Sequence, residues 1–297
     1  MKEINKKMIK KAVIPAAGWG TRFLPITKAV PKEMLPIIDK PALSYIVEEA
    51  IASGIEEILI IISSNKGAIS DYFERNKELE KFLEEKNKVE DLKILDGVTY
   101  GAKIFYTIQE EQLGLGHAVL MAESFINNQP FAVLLGDDVY VSDQDPALKQ
   151  LIKAYDEKHS SILGTLEVPD SETHLYGICI PSKDAKKPVV ELEGVIEKPQ
   201  GIAPSNSAIS GRYILSPRIF HYLHTQTRGK GNEIQLTDAI LRMMVEEKVY
   251  SLDMTGKRYD IGSKLGYLEA IIDFGLKRPE LSEGLTNLLI SKLHNMK

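Results

Sequence analysis

A single cysteine, Cys179, in 297 residues excludes an internal disulfide, which fits a reducing compartment and makes a buried, inert thiol the simplest reading of that residue. Long hydrophobic runs are missing too. The longest purely aliphatic stretches, 58–62 and 132–135, are strand-sized and far short of the roughly 20 residues that cross a bilayer. The basic segment 2–11 is not followed by the apolar stretch of about 7–15 residues that a secretory signal requires. Together these absences predict a cytoplasmic protein with no transmembrane helix. An excess of positive charge is also lacking. The 37 basic residues stand against 42 acidic ones, a formal net charge of −5, so neither nucleic acid nor an anionic membrane is expected as a partner. No internal repeat, low-complexity tract or long linker divides the chain.

What is present is enough apolar material, 43% of residues, for one sizeable core. Strand-like and helix-like segments alternate through the first half, as a parallel sheet with crossover helices requires, and predict an α/β protein. Strands are expected over 12–15, 57–62, 104–108 and 131–135. Between them a helix is expected over 41–53, opened by Pro41, with Leu43, Ile46, Val47, Ala50 and Ile51 on one face and Gly54 as its stop. Further helices are expected over 66–73, in the charged and exposed 78–88, and from 116 to 122. From 162 to 215 shorter extended segments (162–168, 178–180, 189–197 and 208–215) alternate with proline, glycine and polar clusters, and predict a mixed sheet covering the mouth of the site. Amphipathic helices over 236–246, 265–276 and 280–293 complete the chain.

The most informative stretch is Ala12-Val13-Ile14-Pro15 breaking into Ala16-Ala17-Gly18-Trp19-Gly20-Thr21-Arg22. A strand ending in small residues lets backbone N–H groups approach an anion, and Arg22 and Lys32 place fixed positive charge beside that concavity. Phe23 occupies the third glycine position of a dinucleotide fingerprint, which argues against a nicotinamide cofactor. The lack of Gly-Lys-Ser/Thr argues equally against a Walker-type site. Downstream, Gly136-Asp137-Asp138 ends a buried strand where open parallel sheets collect ligands; the alternative is a polar turn capping the next helix.

The run Gly18-x-Gly20-Thr21-Arg22-x-x-Pro25-x-Thr27-Lys28-x-x-Pro31-Lys32-Glu33-Met34-Leu35-Pro36 resembles the signature of the sugar-1-phosphate nucleotidyltransferases. Gly114-Leu115-Gly116-His117-Ala118, Glu197-Lys198-Pro199, Gly211-Arg212-Tyr213, Glu233-Ile234-Gln235-Leu236-Thr237-Asp238-Ala239 and Asp260-x-Gly262-x-Lys264 are similar to the branch that joins UTP to glucose 1-phosphate. The likeness spans about residues 10 to 275. It implies a Rossmann-like α/β fold in one domain, with a mixed central sheet flanked by helices. Nucleotide binding would fall in about 10–160, a small β sugar-binding portion in about 161–262, and C-terminal helices in 263–297.

The resemblance further implies Mg²⁺-dependent formation of UDP-glucose and pyrophosphate, and a homodimer or homotetramer. Ala17, Gly18, Gly20 and Glu33 would approach the nucleotide, Gln109 would read the base edge, and Gly114 would let the backbone touch the ring. Arg22 would grip the departing phosphates, with Lys32 at the α-phosphate and Lys198 at the sugar phosphate as the remaining catalytic cations. Asp137 and Asp260 would hold the metal. Glu197 and Gly177 would bind sugar hydroxyls; Asp138 would contact the sugar or cap a helix. His117 is expected to pack at the helix start, since transfer to an ionised phosphate needs no general base. Two rivals stay open: a relative that uses dTTP or another hexose 1-phosphate, and a nucleotide-sugar sensor without turnover.

Overall fold

Aliphatic strands buried on both faces form the centre of the structure, a computed structural model that describes residues 8–97 and 101–295. In chain order the strands are β1 (Lys11–Pro15), β2 (Pro36–Ile37), β3 (Lys40–Pro41), β4 (Glu57–Ile62), β5 (Lys103–Ile108), β6 (Phe131–Leu134), β7 (Asp138–Val141), β8 (Ser161–Glu167), β9 (Gly177–Pro181), β10 (Val189–Glu197), β11 (Ser207–Leu215), β12 (Val249–Asp253) and β13 (Lys257–Asp260). Nine of them make one sheet in the order β5-β4-β1-β6-β11-β8-β12-β10-β9. β1, β4, β5 and β6 run parallel, while β11 enters antiparallel between β6 and β8. The sheet is therefore mixed, as expected.

Ala12 and Ile14 pack on one face with Ile46, Val47 and Ala50 of the helix Ala42–Ala52. Val13 points the other way, into a second cluster with Val119, Leu236 and Ala239. This period-two division explains why β1 reads as an unbroken apolar run: each face is covered by helices. Among the described residues no helix is long and apolar enough to cross a membrane.

Several expectations shift. The extended segments over 162–215 form a mixed sheet, but as a continuation of the main one through β8, β9, β10 and β11 rather than as a separate cover. The charged excursion is two helices, Lys77–Glu85 and Val89–Asp96. The helices Ala147–Lys158 and Ile219–His224 and the strands β12 and β13 had no counterpart in the sequence reading. The residues after β6 do not cap a helix: they turn and continue as β7, which pairs antiparallel with β13 in a separate two-stranded ribbon.

Behind that ribbon lies a buried ionic brace. Arg212 on β11 is fully buried, and its Nε and Nη2 donate to Glu49 Oε1 and Oε2 at 2.9 and 2.7 Å. Nη2 also donates to the main-chain oxygen of Asp138 at 2.8 Å, and the guanidinium lies over the Tyr140 ring. Glu49 Oε1 additionally accepts from the backbone N–H of Leu148, at the start of Ala147–Lys158. One ion pair thus ties a helix on one face to the strand that carries the acids. Removing one partner leaves an unpaired buried charge, so Glu49→Gln is expected to lower the unfolding free energy by about 3–5 kcal/mol, read by urea denaturation at unchanged m-value.

Candidate active site

At the end of β1 the backbone turns away from the sheet, anchored by Ala16 N–H to the Ile61 carbonyl at 2.8 Å. Gly20 takes φ +65°, and a Cβ there would press on Thr27 and Lys32 at 3.1 and 3.2 Å; the Thr27 hydroxyl closes the turn on the Gly20 carbonyl at 2.9 Å. Gly18 differs, with open space where its Cβ would be. The loop is therefore a bare concavity of the kind an anion can approach.

Lys66 holds this loop from beneath. Its Nζ donates to the Ala16 carbonyl at 2.6 Å and to Glu33 Oε2 at 2.7 Å, and both side chains are buried. Burial pushes the Glu33 carboxyl up and the Lys66 ammonium down from their ordinary values, against their mutual attraction. Glu33 thus supports the loop through Lys66 while its residue still lines the cavity beside it. Nothing in the sequence pattern singled out Lys66, which acts only through the fold.

The acids converge through the ribbon. β7 and β13 set Asp138 directly opposite Asp260, and the Ile261 N–H donates to the Asp137 carbonyl at 2.8 Å. Gly262 sits at the point of convergence: a Cβ there would lie 2.9 Å from Asp137 Oδ2, 3.0 Å from Asp260 Oδ1 and 3.5 Å from Arg22 Nη1. Arg22 Nη1 also donates to the Gly262 carbonyl at 3.3 Å. Lys32 Nζ meets Asp137 Oδ2 at 2.5 Å. Burial works to lower the Lys32 value, but Asp137, Glu33 and Asp138 together raise it; burial works to raise Asp137, but Lys32 and then Arg258 hold it down. Asp137 is thus ionised and beside a cation.

Asp138 behaves differently. Its Oδ1 accepts from Arg258 Nε and Nη2 at 2.7 and 2.6 Å, and any Cβ on Gly211 would clash with its carboxylate. Burial lifts its pKa to about 6, against the pull of Arg258 and with a further push from Asp137. It neither caps a helix nor presents a free carboxylate, which corrects the helix-cap alternative. Arg258 was missed because 257–260 was not read as a strand; once it is, alternation puts Arg258 and Asp260 on the same side.

On the sugar side, Glu197 Oε2 accepts from the Thr237 hydroxyl at 2.7 Å, and Gly177 lies opposite Glu197 on the neighbouring strand. A Cβ at Gly177 would stand 3.2 Å from both Glu197 Oε2 and Thr237 Oγ1. Lys198 follows Glu197 but does not point to the opposite face. Its φ of +45° turns the chain, and its Nζ lies 3.4 Å from Glu197 Oε1.

Two adjoining cavities collect all of these groups. One, of about 480 Å³, is lined by Ala17, Gly18, Gly20, Lys32, Glu33, Gln109, Gly114 and Asp137 among others. The second, of about 610 Å³, is lined by Arg22, Asp138, Gly177, Glu197, Lys198, Asp260 and again Asp137. Leu115, Leu135, Asp137 and Glu233 belong to both. Every expected site residue lines one cavity or both, and Asp137 stands at their junction.

A family model for nucleotidyl transferases matches residues 11–275. The chain belongs to the nucleotidyl transferase family. Within that family it is 56% identical to a UTP–glucose-1-phosphate uridylyltransferase of Staphylococcus epidermidis over 94% of this chain and 96% of the relative. Among solved structures it is similar to a UTP-bound UGPase from Acinetobacter baumannii, with TM-score 0.88, 39% identity, and 95% and 99% of the two chains covered. It is also similar to a UDP-glucose pyrophosphorylase complexed with UDP-glucose, with TM-score 0.84, 42% identity, and 91% and 100% covered. The family, fold and branch expected from the motifs are borne out.

For a member of this family the Gly262 contact has a direct consequence. Gly262→Ala keeps an allowed backbone but drives a methyl between Asp137, Asp260 and Arg22, so nucleotidyl transfer is expected to fall on the order of 10²-fold in kcat. Steady-state turnover set beside a circular-dichroism melt that stays close to wild type checks this.

Proposed function

We propose that this chain transfers a uridylyl group from UTP to glucose 1-phosphate, forming UDP-glucose and pyrophosphate, with Mg²⁺ as the divalent ion. The observation that carries the reading is the meeting of Arg22, Lys32, Asp137 and Asp260 where the two cavities join. The names of the relatives support the choice of substrates.

The nucleotide occupies the cavity beneath the Gly18 loop, and the sugar phosphate enters the cavity of Glu197 and Lys198. An oxygen of the sugar phosphate attacks the α-phosphorus of UTP, the new P–O bond forms as the bond to the bridging oxygen breaks, and pyrophosphate leaves. No base is required, because the attacking phosphate is already ionised at neutral pH. The protein's contribution is alignment and fixed charge. Arg22 grips the departing phosphates with its planar fork, Lys32 stands at the α-phosphate, and Lys198 receives the sugar phosphate. Glu197, steadied by Thr237, accepts from neighbouring sugar hydroxyls.

The donor set suits Mg²⁺. Asp137 and Asp260 aim hard oxygens at one point beside a residue without a side chain, and the ion is usually held by one or two carboxylates completed by substrate phosphates. When bound, Mg²⁺ would supply positive charge to the phosphate oxygens.

The same reading places nucleotide binding in about 10–160 and sugar binding in about 161–262, with the cytoplasm as its setting. Exposed Leu268, Leu288 and Leu293 on the C-terminal helices support contacts between copies in a homodimer or homotetramer. Light scattering is expected to return two or four chain masses; a single chain mass would reject that assembly.

Pyrophosphate release tests the activity. UTP with glucose 1-phosphate and Mg²⁺ is expected to outpace dTTP and N-acetylated hexose phosphates, and equal turnover with dTTP would reject uridylyl selectivity. UDP-glucose binding without exchange of labelled pyrophosphate would instead mark a sensor. Asp137→Asn is expected to abolish most turnover at saturating Mg²⁺ while leaving the fold intact. Arg22→Lys is expected to lose most activity, because an ammonium cannot reproduce a planar fork.

A further inference from the structure

Gln109 follows β5, with its backbone N–H donating to the Ile62 carbonyl at 2.8 Å, and its side chain is buried against the smaller cavity. Its amide nitrogen lies 3.4 Å from the Gly114 carbonyl and 2.8 Å from His117 Nδ1. A main-chain carbonyl can only accept, so the amide edge that faces Gly114 is the N–H₂ edge. His117 Nδ1, meeting the same nitrogen, must then accept as well, with its lone pair turned to the amide.

The Gly114 carbonyl is not free to adjust. Gly114 has φ +101°, and a Cβ there would stand 2.7 Å from Glu233 Cβ. On either side of it the Ile234 N–H donates to the Leu113 carbonyl at 2.6 Å and the Gly116 N–H to the Ile234 carbonyl at 2.8 Å. His117 is fixed too, in the first turn of the helix Leu115–Leu120. Gln109 is therefore clasped between two acceptors that occupy both of its N–H bonds. Its carbonyl oxygen is the group left for a ligand.

We infer that His117 is a positioning residue for base selection: by accepting from Gln109 at Nδ1 it fixes the polarity of that amide, so that the pocket presents an acceptor to the base. The inference deepens the uridylyl reading above and rests on it. Uracil offers N3–H to such an acceptor. Cytosine, a ring of the same size, presents a lone pair at N3, and in the same register two lone pairs would face each other. Selection between the two pyrimidines then comes from hydrogen-bond polarity rather than from the size of the pocket. The 2.8 Å bond to His117 is much shorter than the 3.4 Å contact to Gly114, so His117 is the stronger of the two restraints.

The experiment compares kcat/KM for UTP and CTP, with glucose 1-phosphate and Mg²⁺ held constant. His117→Phe keeps a ring, and His117→Leu relieves its size, so a packing fault in one does not decide the outcome. In both, the UTP-to-CTP preference is expected to fall about fivefold, the worth of one hydrogen bond, through freer rotation of the amide. His117→Asn, which places an acceptor oxygen near the Nδ1 position, is expected to restore the preference. An unchanged ratio in the apolar variants, or a loss in His117→Asn as large as theirs, would overturn the inference. A wild-type protein that releases no pyrophosphate from UTP defeats the uridylyl reading itself, which is a separate result.

Discussion

Three carboxylates brought together by one ribbon set the terms for the rest of the site. The pairing of β7 with β13 puts Asp138 across from Asp260 and leaves Asp137 beside both. Like charges at such separation destabilise one another unless cations are fixed close by. The structure pairs a separate cation with two of the carboxylates. Arg258 takes Asp138, Lys32 takes Asp137, and Arg22 lies against the Gly262 backbone next to Asp260. The buried Arg212–Glu49 pair holds the backbone of Asp138 from behind. The charges of the cavity are thus arranged in advance, which is how fixed electrostatics favours a phosphoryl-type transfer.

A second constraint joins the two cavities. The segment Leu113 to Gly116 is stitched to Ile234 by two backbone hydrogen bonds, and Glu233 lines both spaces. Thr237 continues from the same segment toward Glu197 and Gly177. The loop beside Gln109 and the wall beside Glu197 are thus one mechanical unit.

The periodic elements were legible because their chemistry is local. Β4, over Glu57–Ile62, and the helix Ala42–Ala52 follow directly from aliphatic runs, a leading proline and a closing glycine. Elements with mixed or charged composition, such as Val89–Asp96 and Lys257–Asp260, carry little local signal, and the second is defined by its pairing with β7. The site residues were named by their motifs, but three side chains changed meaning in space. Glu33 proved to be a buried partner of Lys66, Asp138 a partner of Arg258, and His117 a hydrogen-bond partner of Gln109 rather than helix packing alone.

By itself the amino-acid sequence determined the class of fold, the small-residue loop after β1, Arg22, Lys32, Asp137 and Asp260 as charged groups of one site, and the family. Those properties reside in residue type and short spacing. The tertiary structure alone decided that Asp137, Asp260 and Arg22 share one glycine, that Lys198 turns to the same side as Glu197, and which charges are spent on support. Register between distant strands and the partner of a buried side chain depend on contacts remote in sequence, and no local pattern encodes them.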